Sequence, residues 1–97
     1  MNIVYFDLET QKSAEEVGGW GNKHMMRVSI GVSYSSEAKS FTVYEEDDMS
    51  ALIAALQAAD LVIGYNHIGF DYAVLSYYTA FDFSKLPTLD LMVDLRK

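Results

Sequence analysis

Two acidic residues stand two apart at the end of an apolar run near the start of the chain, Ile3-Val4-Tyr5-Phe6-Asp7-Leu8-Glu9-Thr10. The four apolar, mostly β-favouring residues predict a strand buried on both faces. Strand side chains alternate, so Asp7 and Glu9 point to the same side. Two like charges that close repel by about 1 kcal/mol or more, depending on the local dielectric. A divalent cation turns that repulsion into coordination, because Mg²⁺ and Mn²⁺ prefer carboxylate oxygens. The alternative is that the strand runs out into water and both acids are solvated. A second stretch with chemical content is Tyr65-Asn66-His67-Ile68-Gly69-Phe70-Asp71. It falls between an apolar run and a helix, at the carboxyl ends of parallel strands, where α/β folds place their sites. Asp71 can face such a site or merely complement the helix dipole. Asn66 can be a site residue, or a turn residue or cap. His67 reads as an exposed turn histidine, and His24 has no partner visible in the sequence.

The elements that must position these residues are legible in outline. Val28, Ile30, Val32 and Tyr34 share one face of an alternating segment, and Ser29, Gly31 and Ser33 share the other, which predicts a half-exposed antiparallel strand. Ser35–Ala38 supplies turn chemistry and Ser40–Tyr44 returns as its partner. Met49, Leu52, Ile53 and Leu56 fall on one helical face, and the acids Glu45–Asp48 before them cap free N–H groups. Asp60–Tyr65 reads as another buried strand. Phe70, Val74, Tyr77 and Phe81 mark the core face of a second helix. The expected elements are strands near roughly 2–9, 26–35, 40–45, 60–65 and 88–91, with helices near roughly 49–59 and 70–79. Residues 11–25 carry three glycines and predict a long surface loop. In it, Trp20 either stacks on a base, with Lys12 and Lys23 near a phosphate, or folds back to cover the core.

Composition bounds the class. The 97 residues, 51% of them hydrophobic, fit one small globular domain. There is no cysteine, hence no disulfide framework and no thiolate metal site. No charged-then-apolar signal and no run of membrane-spanning length appears, so the expected location is cytoplasmic, with no membrane partner. The net charge of −7 argues against binding nucleic acid through a general basic surface. It leaves open an enzyme whose bound metal ions meet the phosphate.

The Asp7-x-Glu9-Thr10 and Asn66-x-x-x-Phe70-Asp71 pair, in this order of elements, resembles the first two motifs of the DEDD (DnaQ-like) 3′–5′ exonuclease superfamily, nearest to predicted bacterial ribonuclease H-like exonucleases with a similar Gly-Gly-Trp loop. The resemblance spans essentially the whole chain. It implies a ribonuclease H-like α/β sheet with three antiparallel strands and two parallel ones, Pro87–Leu91 supplying the fifth. It implies two Mg²⁺ or Mn²⁺ ions about 3.5–4 Å apart at the scissile phosphate. Asp7 would bridge them, with Glu9 and Asp71 as further ligands. Thr10 would meet the terminal nucleotide through its backbone, and Asn66 and Phe70 would shape the second side of the cleft. The implied substrate is single-stranded nucleic acid; RNA or DNA stays open, since that choice rests on contacts to the 2′-OH.

The sequence departs from the family at its third motif, an Asp four or five residues after a Tyr or His on a late helix. Tyr78 and Asp82 mimic the spacing but precede the fifth strand, and Asp90 and Asp94 come too early. Residues 1–97 are therefore expected to be the N-terminal part of a single exonuclease domain without its C-terminal helices, inactive alone and prone to self-association through an uncovered sheet face. The competing expectation is a non-catalytic nucleic-acid-binding or protein-interaction module on the same fold.

Overall fold

The strand β1 (Ile3–Thr10) lies at the centre of a five-stranded mixed sheet in the computed structural model, which describes residues 1–92. Asp94 lies outside the described residues. In chain order the other elements are β2 (Val28–Ser35), β3 (Ser40–Tyr44), α1 (Met49–Ala58), β4 (Leu61–Gly64), α2 (Asp71–Leu75) and β5 (Thr88–Asp90). The strand order is β3-β2-β1-β4-β5. β2 is antiparallel to β1 and β3, β4 is parallel to β1, and β5 is parallel to β4. This is the expected ribonuclease H-like arrangement. No helix among the described residues is long and apolar enough to cross a membrane.

The core lies on one face of this sheet. Val4, Phe6 and Leu8 of β1 pack with Leu52, Ile53 and Leu56 of α1 and with Tyr72, Val74 and Leu75 of α2. β1 is thus buried on one face only, contrary to the two-sided burial expected: Tyr5, Asp7 and Glu9 are exposed. β2 makes the reason plain. Its small residues Gly31 and Ser33 face inward, and Ile30 faces out, with Val32 and Tyr34 only partly covered. A Cβ on Gly31 would come within 3.0 Å of a Leu8 methyl and 3.5 Å of a Leu52 methyl, so close packing of α1 demands the smallest side chain there. A bulge opposite Glu9 and Thr10 then turns Val28 inward. The outer face keeps an aromatic row, with Tyr34 between Tyr5 at 6.3 Å and Phe41 at 4.7 Å.

The second helix is shorter than its periodicity predicts. It ends at Leu75 and continues as turns whose N–H groups reach back three residues, Tyr77 to Val74 and Tyr78 to Leu75. Ser76 Oγ competes for the Ala73 carbonyl, and two tyrosines and a threonine follow, all weak helix formers. Its buried residues are Asp71, Tyr72, Val74 and Leu75; Tyr77 is exposed, and Phe70 and Phe81 are only partly buried. The expected Phe70–Val74–Tyr77–Phe81 face is therefore corrected by one position. Residues 11–25 are less irregular than a plain loop, since Trp20–Met25 forms 3₁₀ turns.

Candidate functional site

β4 ends at Gly64, so β1 outruns its parallel neighbour. The Leu8 N–H beyond that point is taken by the Asp71 carboxylate at 3.2 Å. A side chain from the first turn of α2 thus replaces the missing strand, and this brings Asp71 beside Asp7. Asp71 is buried, at 4% exposure. Burial first, and the neighbouring Asp7 charge second, push its carboxyl up to about 7, against the pull of the Leu8 N–H. Glu9 stands two residues on, exposed on the same side as Asp7. Among the described residues, no three acidic or histidine groups gather closely enough to hold a metal ion. Asp71 holds the backbone N–H of the residue next to Asp7 and feels the Asp7 charge, and among the described residues Glu9 does not gather with them.

The flanking residues have defined places. Thr10 sits at the bulge with its hydroxyl donating to the Lys12 carbonyl at 3.1 Å. Asn66 adopts a left-handed conformation, φ 56°, in the turn after β4, a backbone state that Asn tolerates. Phe70 caps α2, and Trp20 stands edge-on to it at 6.2 Å. Trp20 is 64% exposed, so it does not cover the core; Ala14 and Met26 at the two ends of the loop are the buried residues. Lys23 Nζ donates to the Gly69 carbonyl at 2.7 Å, tying the tryptophan turn to the turn that carries Phe70.

Two residues carry more than the sequence indicated. His67, expected to be an exposed turn residue, is fully buried between Phe6 and Tyr72, and neither ring nitrogen has a hydrogen-bond partner. Burial pushes its pKa down, despite Asp90 at 3.8 Å from Nδ1. The left-handed Asn66 is what turns His67 inward, and Gly64 makes the space, since a Cβ there would meet the imidazole at 2.7 Å. Asp90, set aside as too early for a ligand, is buried at the carboxyl end of β5. An acid closing a parallel strand was the available signal. A cavity of about 510 Å³ lies between α2 and Phe81–Thr88 and is lined by none of Asp7, Glu9 or Asp71.

No protein-family model matches the chain, and no curated protein matches it. Among solved structures, the family B DNA polymerase of the hyperthermophilic archaeon Pyrobaculum calidifontis is similar, with a TM-score of 0.71 and 17% identity over 99% of this chain. The chain spans 16% of that polymerase's length. At this identity the likeness establishes the fold, and the fold is one that a nucleic-acid-copying enzyme also contains.

Proposed function

We propose that this chain is the metal-binding part of a DEDD-type 3′–5′ exonuclease, which hydrolyses phosphodiester bonds of single-stranded nucleic acid with Mg²⁺ or Mn²⁺. The observation that carries this reading is the hydrogen bond of the Asp71 carboxylate to the Leu8 N–H, which ties the second motif to the strand end that carries Asp7. The fold shared with part of a DNA polymerase supports it. The donor set fits the ion: carboxylate oxygens suit Mg²⁺ and Mn²⁺. Burial first and the Asp7 charge second raise the Asp71 carboxyl, and a bound cation would offset both by favouring the carboxylate. With Asp7, Glu9 and Asp71 as its acidic ligands, this chain would hold an ion weakly, because Mg²⁺ dehydrates reluctantly and binds weakly to few-ligand sites.

Bound ions would activate a water and stabilise the leaving 3′ oxygen. The chain's own residues do the placing. Asp7, Glu9 and Asp71 would hold the ions, with Asp71 deprotonated and the exposed Glu9 turned toward them. Trp20 and Phe70 offer faces for terminal bases, the Thr10 backbone lies alongside, and Asn66 shapes the turn. The exposed aromatic row on the outer sheet face favours self-association of the isolated chain.

The test is a labelled-oligonucleotide assay with and without chelator, on residues 1–97 and on the chain extended by whatever the gene encodes downstream. Negligible cleavage by the short chain and chelator-sensitive 3′-end cleavage by the extended one is the expected result. Inactivity of both supports the competing reading, a non-catalytic nucleic-acid-binding or protein-interaction module on the same fold.

A further inference from the structure

The turn between β4 and α2 has to deliver Asp71 to the Leu8 N–H with no strand beside it. Its residues have few places to send their N–H groups, and an unpaired buried N–H is costly. One side chain takes them. Asp90 Oδ1 accepts from the Asn66 N–H at 2.8 Å and from the Met92 N–H at 3.0 Å, and Oδ2 accepts from the Ile68 N–H at 3.3 Å. The pairing of Gly64 with Asp90 in the β4–β5 register sets this carboxylate directly under the turn. It is 5% exposed, and both of its oxygens accept backbone N–H groups.

From these bonds a second tier hangs. The Asn66 carbonyl accepts from Phe70 N–H at 3.1 Å and the His67 carbonyl from Tyr72 N–H at 2.8 Å. Asp71 stands between those two residues. We propose that Asp90 is a positioning residue: it fixes the turn that holds the Asp71 carboxylate against β1 beside Asp7. This rests on the exonuclease reading for its purpose, but its geometry stands without a metal. A carboxylate is required because both oxygens must accept. An amide of the same shape would present an NH₂ group to the Ile68 N–H or to the His67 ring.

The experiment is amide hydrogen exchange on the 97-residue chain and its D90N variant. The expected result is exchange at least about tenfold faster at Asn66, Ile68 and Leu8, with Leu52 in α1 and Val32 in β2 unchanged. Leu8 decides the matter, because it lies far from Asp90 in sequence and its acceptor is Asp71. Unchanged Leu8 exchange in a folded variant overturns the proposal. If D90N does not fold, native-state exchange of the unmodified chain serves instead. Asn66, Ile68 and Leu8 should then open together, and independent opening of Leu8 overturns the proposal. Neither readout needs a cation, so a chain that passes these tests yet binds no Mn²⁺ counts against the exonuclease reading alone.

Discussion

The chain holds two concentrations of acid, and they are built in opposite ways. Glu45–Asp48 is the denser, yet its charges have partners. Glu45 and Asp48 exchange side-chain-to-backbone hydrogen bonds in a capping box at the entry to α1. Glu46 accepts from Arg27 at 2.6 Å and from the Tyr78 hydroxyl at 2.7 Å, which hold its carboxyl below the usual carboxylate range. Asp7 and Asp71 are fewer, but burial and mutual repulsion push Asp71 the other way. Charge density does not mark the candidate site. A buried carboxylate pushed up by its burial and by a neighbouring acid, as Asp71 is, does.

The largest expected effect separates the two groups by activity. On the exonuclease reading, D7A in a downstream-extended chain that cleaves should lose several orders of magnitude in rate, because Asp7 would be the ligand shared by both ions, while D47A should retain full rate. Equal losses in a chelator-controlled assay would erase the distinction.

Stability against pH gives the next effect. Asp71 titrates at about 7 in the folded chain against an ordinary 3.8. A raised folded pKa means stability that is fully present below about pH 4 and lost as pH climbs through about 7. The whole window is worth on the order of 4 kcal/mol. D71N keeps an acceptor for the Leu8 N–H and removes the titration. In chelator, it should therefore unfold at higher denaturant than the parent at pH 8, and the gap should close toward pH 4. His67 works in the opposite direction, since its depressed pKa removes stability as pH falls below about 6.5, but it is common to both chains and cancels in the comparison.

A smaller effect probes the satisfied group. Tyr78 accepts the Val28 N–H at 2.9 Å while donating to Glu46. Y78F should cost about 1 kcal/mol of unfolding free energy, with the pH profile of Asp71 unchanged.

Much of this was legible in the sequence. The first four strands and the first helix follow from alternation, spacing and turn chemistry, the fifth strand and the sheet arrangement from the family resemblance, and the two acidic motifs from their placement at element ends. Alternation says that two faces of a strand differ, not which one a helix covers. That is why β2 turns its serine–glycine side inward and leaves Ile30 outside. The length of α2 was set by tertiary bonds of Tyr78 and the competing Ser76 hydroxyl, which no periodicity reports. The burial of His67 depends on a left-handed Asn66, and the role of Asp90 on a register between strands that lie far apart in the chain.

The most direct test of the central claim is a Mn²⁺ titration of the labelled 97-residue chain followed by backbone NMR at pH 8. The account predicts that signals of Asp7, Leu8 and Asp71 broaden first, at Mn²⁺ concentrations that leave Glu45–Asp48 sharp, and that D71N abolishes the preference. Broadening of Glu45–Asp48 first, or a preference that survives D71N, would contradict it.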